Sequence, residues 1–128
     1  MPQEVVIAVD DEPDNLELIE RILSKYDVKT FTDPKAALEE AIKLKPIAVV
    51  VDYRMPGMTG LELVRKCREA GLDSAILMVT AFPDLDEITY AAQNELVYQV
   101  VPKPYRPDRL RDWMRLAIIQ TKMNRRQT

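Results

Sequence analysis

Short apolar runs rich in β-branched residues alternate along the chain with segments whose apolar residues recur every three or four positions. The runs predict five strands, at Glu4–Val9, Val28–Phe31, Ile47–Val51, Ala75–Val79 and Leu96–Val101. The intervening segments predict helices that begin near Pro13, Asp33, Thr59, Asp84 and Arg106. Strands and helices that alternate at this spacing predict a (βα)5 α/β domain, with a doubly wound, parallel, five-stranded sheet.

Several local signals support these elements. Pro13 suits the first turn of a helix, and Thr59 with Glu62 three residues on forms a capping-box pattern. The continuous run Ile47–Val51 is typical of a parallel strand covered on both faces, so we expect it at the centre of the sheet. The second helix should bury one face, consisting of Ala37, Leu38, Ala41 and Ile42.

The last helix, predicted to run to about Arg125, has apolar residues on two sides. One stripe should face the core and comprises Leu110, Trp113, Met114, Ala117, Ile118 and Thr121. Leu116, Ile119 and Met123 lie roughly opposite that stripe. They predict either an interface, with a second subunit or a continuing segment, or scattered exposed apolar residues of the ordinary kind.

Length and composition favour one intracellular domain. The chain has 128 residues, which suits a single core, and we expect a domain over 1–124 with a basic tail or linker at 125–128. No apolar run is long enough to span a membrane. A signal-peptide pattern is missing at the N-terminus and the chain has a single cysteine, Cys67, and both observations favour a reducing cytoplasm. Cys67 itself is predicted to be a small core residue.

Charge is unevenly placed along the chain. Residues 1–102 carry 10 basic and 19 acidic side chains, whereas residues 103–128 carry 8 basic and 2 acidic ones. A basic last helix on an acidic domain is more often a solvated face or a linker than a nucleic-acid site. We therefore expect neither a nucleic-acid nor a membrane partner.

Polar residues follow four of the five strands. They are the pair Asp10-Asp11, then Asp52, Thr80 and Lys103, and the carboxyl ends of parallel strands meet at one edge of the sheet. Three neighbouring carboxylates repel one another unless a cation neutralises them. Because the chain has no histidine, oxygen ligands for Mg²⁺ or Mn²⁺ are predicted.

The remaining two residues of this group favour phosphate. A lysine ammonium supplies a charge for phosphoryl oxygens, and a threonine hydroxyl can donate a hydrogen bond to one of them. A carboxylate can be the nucleophile that forms an aspartyl phosphate. Asp52, at the end of the most buried strand, is the candidate acceptor.

These residues together resemble the CheY-like receiver domain of two-component signalling, over essentially the whole chain to about residue 122. The resemblance rests on Asp10-Asp11, Asp52 in VVVDYRMPGMTGLEL, Thr80-Ala81 and Lys103-Pro104. It implies the flavodoxin-like strand order 2-1-3-4-5 in a three-layer sandwich. It also implies a phospho-accepting switch in place of a conventional enzyme, acting only on its own phosphorylation and dephosphorylation.

The resemblance assigns a role to each residue. Asp52 would accept the phosphoryl group, Thr80 and Lys103 would contact it, and Asp10, Asp11, Asp52 and the backbone carbonyl of Arg54 would bind Mg²⁺. A sensor histidine kinase, a phosphotransfer protein or a small phosphodonor would supply the phosphate. A changed surface of helix four, strand five and helix five would then control an effector protein or a fused output domain.

Three positions modify these expectations. Such domains carry an aromatic residue three positions before the lysine, and here that position is Val100, with Tyr98 two residues earlier. An aromatic rotamer is therefore not expected to report activation in the usual way. Arg54 and Phe82, each two positions after a site residue, offer no carboxylate or amide to orient water, which predicts slow self-dephosphorylation.

The sequence offers less support for three alternative functions. A phosphatase of the haloacid-dehalogenase type needs a second aspartate two positions after the first, where this chain has Arg54. A nucleotide-binding protein needs a glycine-rich first turn, and DDEPDN has no glycine. A receiver that only docks, without phosphorylation, is favoured by Val100 alone.

Overall fold

The computed structural model describes residues 3–126 as five strands that alternate with five helices. The strands are β1 (Val5–Val9), β2 (Asp27–Phe31), β3 (Ala48–Asp52), β4 (Ala75–Thr80) and β5 (Gln99–Pro102). The helices are α1 (Pro13–Ile22), α2 (Pro34–Leu44), α3 (Gly60–Glu69), α4 (Asp86–Gln93) and α5 (Pro107–Arg126). Every predicted element is therefore confirmed, although several boundaries differ.

All five strands are parallel, in the order β2-β1-β3-β4-β5. This confirms the predicted strand order and the central place of β3. The register brings the strand ends level with one another, since Asp52 pairs with Val79 and Thr80 pairs with Pro102. The residues that follow β1, β3, β4 and β5 consequently share one edge of the sheet.

The sheet lies between two layers of helices, which confirms the three-layer sandwich. On β3, Val49 and Val51 belong to the apolar cluster beneath α2, α3 and α4, whereas Ala48 and Val50 belong to the cluster beneath α1 and α5. A strand buried on both faces explains the continuous apolar run in the sequence. Each fully buried valine, such as Val51, contributes about 1.5–3 kcal/mol through burial.

The helix starts follow the predicted chemistry. Pro13 is the first residue of α1, the Asp33 carboxylate accepts the Lys35 backbone N–H at 3.0 Å, and the Thr59 hydroxyl accepts the Glu62 backbone N–H at 3.1 Å. Caps of this kind each stabilise a helix by about 1 kcal/mol. The cap at Thr59 matters here because it fixes the start of α3 beside the end of β3.

Two side chains predicted to lie in the core are not buried there. Ile42 is 44% exposed, because Ala41 rests on the sheet and the next residue is turned about 100° away around the helix. Trp113 is half-buried and packs only at the margin of the cluster that contains its neighbour Met114. The core position of Cys67 is confirmed, and burial raises the pKa of its thiol.

The β5 strand starts later than predicted because the chain first has to end α4. Glu95 has a positive φ of 60°, and the Leu96 N–H donates to the carbonyl of Ala91 at 2.9 Å. Pairing with β4 begins when the Tyr98 N–H donates to the carbonyl of Ile76 at 2.8 Å. Leu96 therefore belongs to a turn and not to the strand.

The α5 helix continues to Arg126, two residues beyond the predicted domain limit at residue 124. That limit remains a prediction. Residues 127 and 128 of the predicted tail lie outside the described residues. Leu116, Ile119 and Met123 are exposed, as their spacing predicted. Over residues 3–126, every helix is too short or too polar to cross a membrane.

Candidate functional site

Three carboxylates meet at the edge of the sheet. Asp10 and Asp11 follow β1, and Asp52 ends β3; one oxygen from each lies within 4.8 Å of the other two. Asp10 is only 2% exposed, whereas Asp11 and Asp52 are half-buried. The three predicted acids are therefore brought together, with an oxygen donor set of the kind that a hard divalent cation prefers.

The Asp10 carboxylate is held in place by its own loop. It accepts the Glu12 backbone N–H at 2.9 Å and the Asn15 side-chain amide at 3.2 Å. Burial raises the pKa of Asp10, and the nearby Asp52 raises it further, although the hydrogen bonds and Lys103 oppose both effects. A cation bound between these acids would offset the cost of keeping Asp10 charged.

Lys103 lies against two of the acids. Its ammonium is 3.2 Å from an oxygen of Asp52 and 3.9 Å from an oxygen of Asp10. The Lys103 backbone N–H donates to the carbonyl of Thr80 at 2.7 Å, and the peptide bond to Pro104 is cis. The short β5 strand therefore delivers a cationic side chain directly to the end of β3.

Thr80 ends β4 with a side chain that is almost fully buried, at 1% exposure. Its hydroxyl oxygen accepts the Phe82 backbone N–H at 2.9 Å. A hydroxyl that accepts one hydrogen bond still has a proton to donate. Thr80 thus keeps a donor next to the backbone of Lys103, at the edge that holds the three acids.

Arg54 and Phe82 form a stacked pair beside this edge. The Arg54 guanidinium lies 4.2 Å from the centre of the Phe82 ring, and both side chains are exposed. The pair joins the loop after β3 to the loop after β4. Arg54 also borders an open cleft that Asp11 and Tyr53 line, so its backbone belongs to the same region as the acids.

A second cavity includes Asp52 in its lining. It has a volume of about 420 Å³ and runs between α1 and the residues that follow β5. Its charged end contains Asp10, Asp52 and Lys103, and its apolar end contains Leu18, Pro104 and Tyr105 among others. Asp10 and Asp52 are therefore reached from a groove with space for an amphipathic group.

Two features of the site, one in the backbone and one between side chains, were not predicted from the sequence. The Gly60 N–H donates to the carbonyl of Tyr53 at 2.7 Å, and a Cβ on Gly60 would lie 2.3 Å from the carbonyl oxygen of Asp52. The Tyr53 hydroxyl donates to the Glu87 carboxylate on α4. A glycine directly after the cap residue Thr59 was a signal for the first feature; nothing local signalled the second.

The chain matches a family model described as the response regulator receiver domain, over residues 6–115. The matched segment runs from β1 into α5. It contains each of the five predicted side chains at the sheet edge, namely Asp10, Asp11, Asp52, Thr80 and Lys103.

Two longer proteins are similar to the chain. The hydrogenase transcriptional regulatory protein HoxA of Cupriavidus necator is 30% identical over 118 residues, covering 91% of this chain and 24% of HoxA. The response regulator MprA of Mycobacterium leprae is 34% identical over 119 residues, covering 91% of this chain and 52% of MprA. The chain thus spans about a quarter of the first relative and about half of the second.

A similar fold occurs in the receiver domain of the sensor histidine kinase PA1611 from Pseudomonas aeruginosa. The two structures align with a TM-score of 0.79 and 23% identity, over 91% of this chain and 98% of the other. That receiver domain has a magnesium ion coordinated in its active-site cleft. At this level of identity, the similarity demonstrates the shared fold.

Proposed function

The chain belongs to the response regulator receiver domain family, whose members are phospho-accepting signalling switches, and we propose that Asp52 is its phosphoryl acceptor. The observation that carries this proposal is the convergence on Asp52 of Lys103, at 3.2 Å, and of two further carboxylates. A nucleophilic carboxylate needs both a neutralised surrounding and a group that pairs with the incoming phosphoryl oxygens. Lys103 supplies the group that pairs with the phosphoryl oxygens, and the acids would supply the neutralised surrounding by binding a divalent cation.

Asp10, Asp11 and Asp52, with the backbone carbonyl of Arg54, are the proposed ligands of a divalent cation. Mg²⁺ suits a site of few carboxylates that also receives a phosphate, and Mn²⁺ suits the same oxygen donors. When bound, the cation supplies positive charge that offsets the repulsion between the acids and the phosphoryl oxygens. The close approach of the three carboxylates and the magnesium ion in the PA1611 receiver support this assignment.

The chain's own residues then perform the transfer. An oxygen of Asp52 forms the new bond to phosphorus while the bond from phosphorus to the donor breaks, and the leaving group keeps the electron pair. Lys103 pairs with one phosphoryl oxygen and the Thr80 hydroxyl donates to another. The chain would promote only its own phosphorylation and dephosphorylation.

Phosphorylation would act as a switch through the groups that move toward it. It adds about 1.5 to 2 negative charges and three acceptor oxygens at Asp52. Only an arrangement with Thr80 and Lys103 drawn inward gains the new bonds, so the phosphoryl group shifts the population toward that arrangement. The surface formed by α4, β5 and α5 would carry the change to the output.

The proposed partners are a protein that supplies the phosphoryl group and an output that receives the signal. A histidine kinase or phosphotransfer protein would approach Asp52 along the groove that contains Leu18 and Tyr105. Because the chain spans only part of HoxA and MprA, the output is proposed to be a fused domain or a separate effector. The proposed location is the cytoplasm, where a buried thiol such as Cys67 stays reduced.

A second copy of the chain is a further proposed partner, through the exposed face of α5. Leu116, Ile119 and Met123 are each at least 38% exposed and lie at helical spacing on that face. Sedimentation velocity should show a dimer that Ile119→Lys converts to a monomer, while Leu18→Lys leaves it intact. A native chain that is monomeric at all concentrations would contradict this interface.

Intact mass spectrometry after incubation with acetyl phosphate and Mg²⁺ tests the acceptor directly. The native chain should gain one phosphoryl group, and a chelator or Asp52→Asn should abolish the gain. Asp84→Asn, in the exposed loop before α4, is the matched control and should be phosphorylated normally. A folded native chain that gains nothing would overturn the assignment and favour a docking module, and an Asp52→Asn variant that still gains a phosphoryl group would show that another residue is the acceptor.

A further inference from the structure

Tyr53, the residue directly after the proposed acceptor, connects the site to α4. Its ring is 7% exposed and belongs to the apolar cluster that also contains Ile88 and Ala91 of α4. Its hydroxyl donates to the carboxylate of Glu87, in the first turn of α4. The buried side chain of Tyr53 thus connects the end of β3 to an exposed residue in the first turn of α4.

The backbone of Tyr53 is fixed to the same unit as Asp52. Its N–H donates to the carbonyl of Val79 on β4 at 3.1 Å, and its carbonyl accepts the N–H of Gly60 at 2.7 Å. Gly60 itself lies directly against the backbone of Asp52. Because the ring is also buried, the Tyr53 hydroxyl has little freedom to follow a displaced α4 unless the end of β3 also moves.

The first turn of α4 has few other attachments among the described residues. The helix has only eight residues, of which Ile88 and Ala91 are buried, and Leu85 at its N-cap provides no side-chain hydrogen bond. A helix start without a side-chain cap depends on water and on tertiary contacts for its unpaired N–H groups. The bond from Tyr53 to Glu87 is accordingly a substantial part of what positions this turn.

We propose that the Tyr53 hydroxyl is a positioning group that holds the first turn of α4 in its unphosphorylated arrangement through the bond to Glu87. The inference rests on the proposed phosphorylation of Asp52. When the Thr80 hydroxyl turns toward a phosphoryl oxygen, it leaves the Phe82 N–H, so the loop from Thr80 to α4 must rearrange. Because Tyr53 stays with β3, a shift of α4 lengthens or breaks its bond to Glu87.

This arrangement gives the chain a route from Asp52 to α4 that does not use position 100. Val100 has no ring and packs with the same apolar cluster as Tyr53. The tyrosine that connects the acceptor to α4 is then Tyr53, which follows Asp52 directly in the sequence. A shift of α4 on phosphorylation has to break the bond from Tyr53 to Glu87. The strength of this bond therefore affects how readily α4 leaves its unphosphorylated arrangement.

Tyr53→Phe removes the bond and Glu87→Gln weakens it, and both preserve the surrounding structure. Tyr53→Phe keeps the ring in the core and loses only the hydroxyl, and Glu87→Gln keeps the size of the acceptor and loses its charge. Asp86→Asn removes the same charge one residue away in the same turn and is the matched control. The variants act on one hydrogen bond, so their combined effect should be smaller than the product of the two separate effects.

The first measurement is amide hydrogen exchange without a phosphodonor. Tyr53→Phe should speed exchange in residues 88–90 by about tenfold, the factor that one hydrogen bond commonly controls, with the β3 and β4 amides unchanged. Asp86→Asn should match the native chain. Equal exchange in Tyr53→Phe and the native chain, with thermal unfolding showing both folded, would overturn the proposal.

The second measurement separates a positioning role from a merely structural one. If the bond opposes release of α4, Tyr53→Phe and Glu87→Gln should gain the phosphoryl group from acetyl phosphate several-fold faster than the native chain. Unchanged or slower phosphorylation would contradict the proposed direction. If no variant is phosphorylated, the acceptor assignment fails, and the exchange experiment still decides whether Tyr53 holds α4.

Discussion

The Lys103 ammonium lies 3.2 Å from an Asp52 oxygen and 3.9 Å from an Asp10 oxygen, so one cation is shared by two carboxylates of the site. A divalent cation at the acids would be repelled by that ammonium. An incoming phosphoryl group would be attracted to it. Lys103 is therefore expected to weaken cation binding and to favour phosphorylation.

Replacing Lys103 with methionine should separate these two effects. Lys103→Met removes a positive charge near the acids, and Mg²⁺ affinity measured by calorimetry should rise by about three- to tenfold. Phosphorylation by acetyl phosphate should fall by at least about tenfold, because the phosphoryl oxygens lose a charged partner. Lys29→Met, which removes a surface lysine paired with Asp27, should change neither quantity. Weaker Mg²⁺ binding in Lys103→Met would contradict this account.

Asp10 should make the stability of the cation-free chain depend on pH. Because burial raises the folded pKa of Asp10 above its unfolded value, the folded chain is penalised at pH values above the folded pKa. That penalty disappears as the pH falls through the folded pKa toward the unfolded value. With a chelator present, Asp10→Asn should therefore be more stable than the native chain at pH 7, and the difference should shrink toward pH 4.

Urea unfolding at both pH values, with and without Mg²⁺, provides the measurement. Adding Mg²⁺ should raise the stability of the native chain and have little effect on Asp10→Asn, because the ion needs the charged carboxylate. A variant that is less stable than the native chain at pH 7 in chelator would show that the hydrogen bonds from Glu12 and Asn15 outweigh the cost of burial.

Local patterns were sufficient to predict the order and type of the elements. The apolar run at β3 requires cover on both faces, and the cap at Thr59 begins a helix for reasons confined to a few residues. The parallel topology then brings Asp10, Asp52 and Lys103 to one edge without any knowledge of their distances. Sequence reasoning therefore predicted the composition of the candidate site, and the structure confirms that these residues converge.

Contacts between distant segments could not be predicted in the same way. Arg68 looks like a solvated residue of α3, but its guanidinium donates to the carbonyls of Leu72, Ser74 and Leu96. Tyr53 and Glu87 are 34 residues apart, and their contact depends on how α4 lies on the sheet. Neither arrangement leaves a periodic or local signal in the sequence.

The close approach of α3 to β3 makes Gly60 sensitive to a single added carbon. In Gly60→Ala the new Cβ would lie 2.3 Å from the Asp52 carbonyl oxygen, which is backbone and cannot rotate away. We expect a loss of about 2–4 kcal/mol in urea unfolding, together with slower phosphorylation as the end of β3 shifts. Gly71→Ala is the comparison: its φ of 86° is strained but its surroundings are open, so it should cost about 1–2 kcal/mol. Equal losses would mean that α3 can move away from Asp52 at little cost.

The stacked pair of Arg54 and Phe82 should slow the loss of phosphate from Asp52. Hydrolysis needs a water molecule placed opposite the bond from Asp52 to phosphorus, and neither side chain offers a carboxylate or an amide that could orient one. The guanidinium, 4.2 Å from the ring, also holds the two loops together beside the site. The phosphorylated chain should therefore persist for minutes or longer in Mg²⁺ after the donor is removed, as followed by intact mass.

Phe82→Ala removes the ring on which the Arg54 guanidinium is stacked. Without the ring, neither position 82 nor Arg54 should restrict the approach of water to Asp52. We expect the half-life of phosphorylated Phe82→Ala to be several-fold shorter than that of the native chain. The half-life of Phe82→Gln, which adds an amide able to orient water, should be shorter still. Tyr90→Ala removes an exposed aromatic ring from α4 and should leave the half-life unchanged. A native half-life of seconds, or an unchanged half-life in Phe82→Ala, would show that water reaches the phosphoryl group by a path that this pair does not restrict.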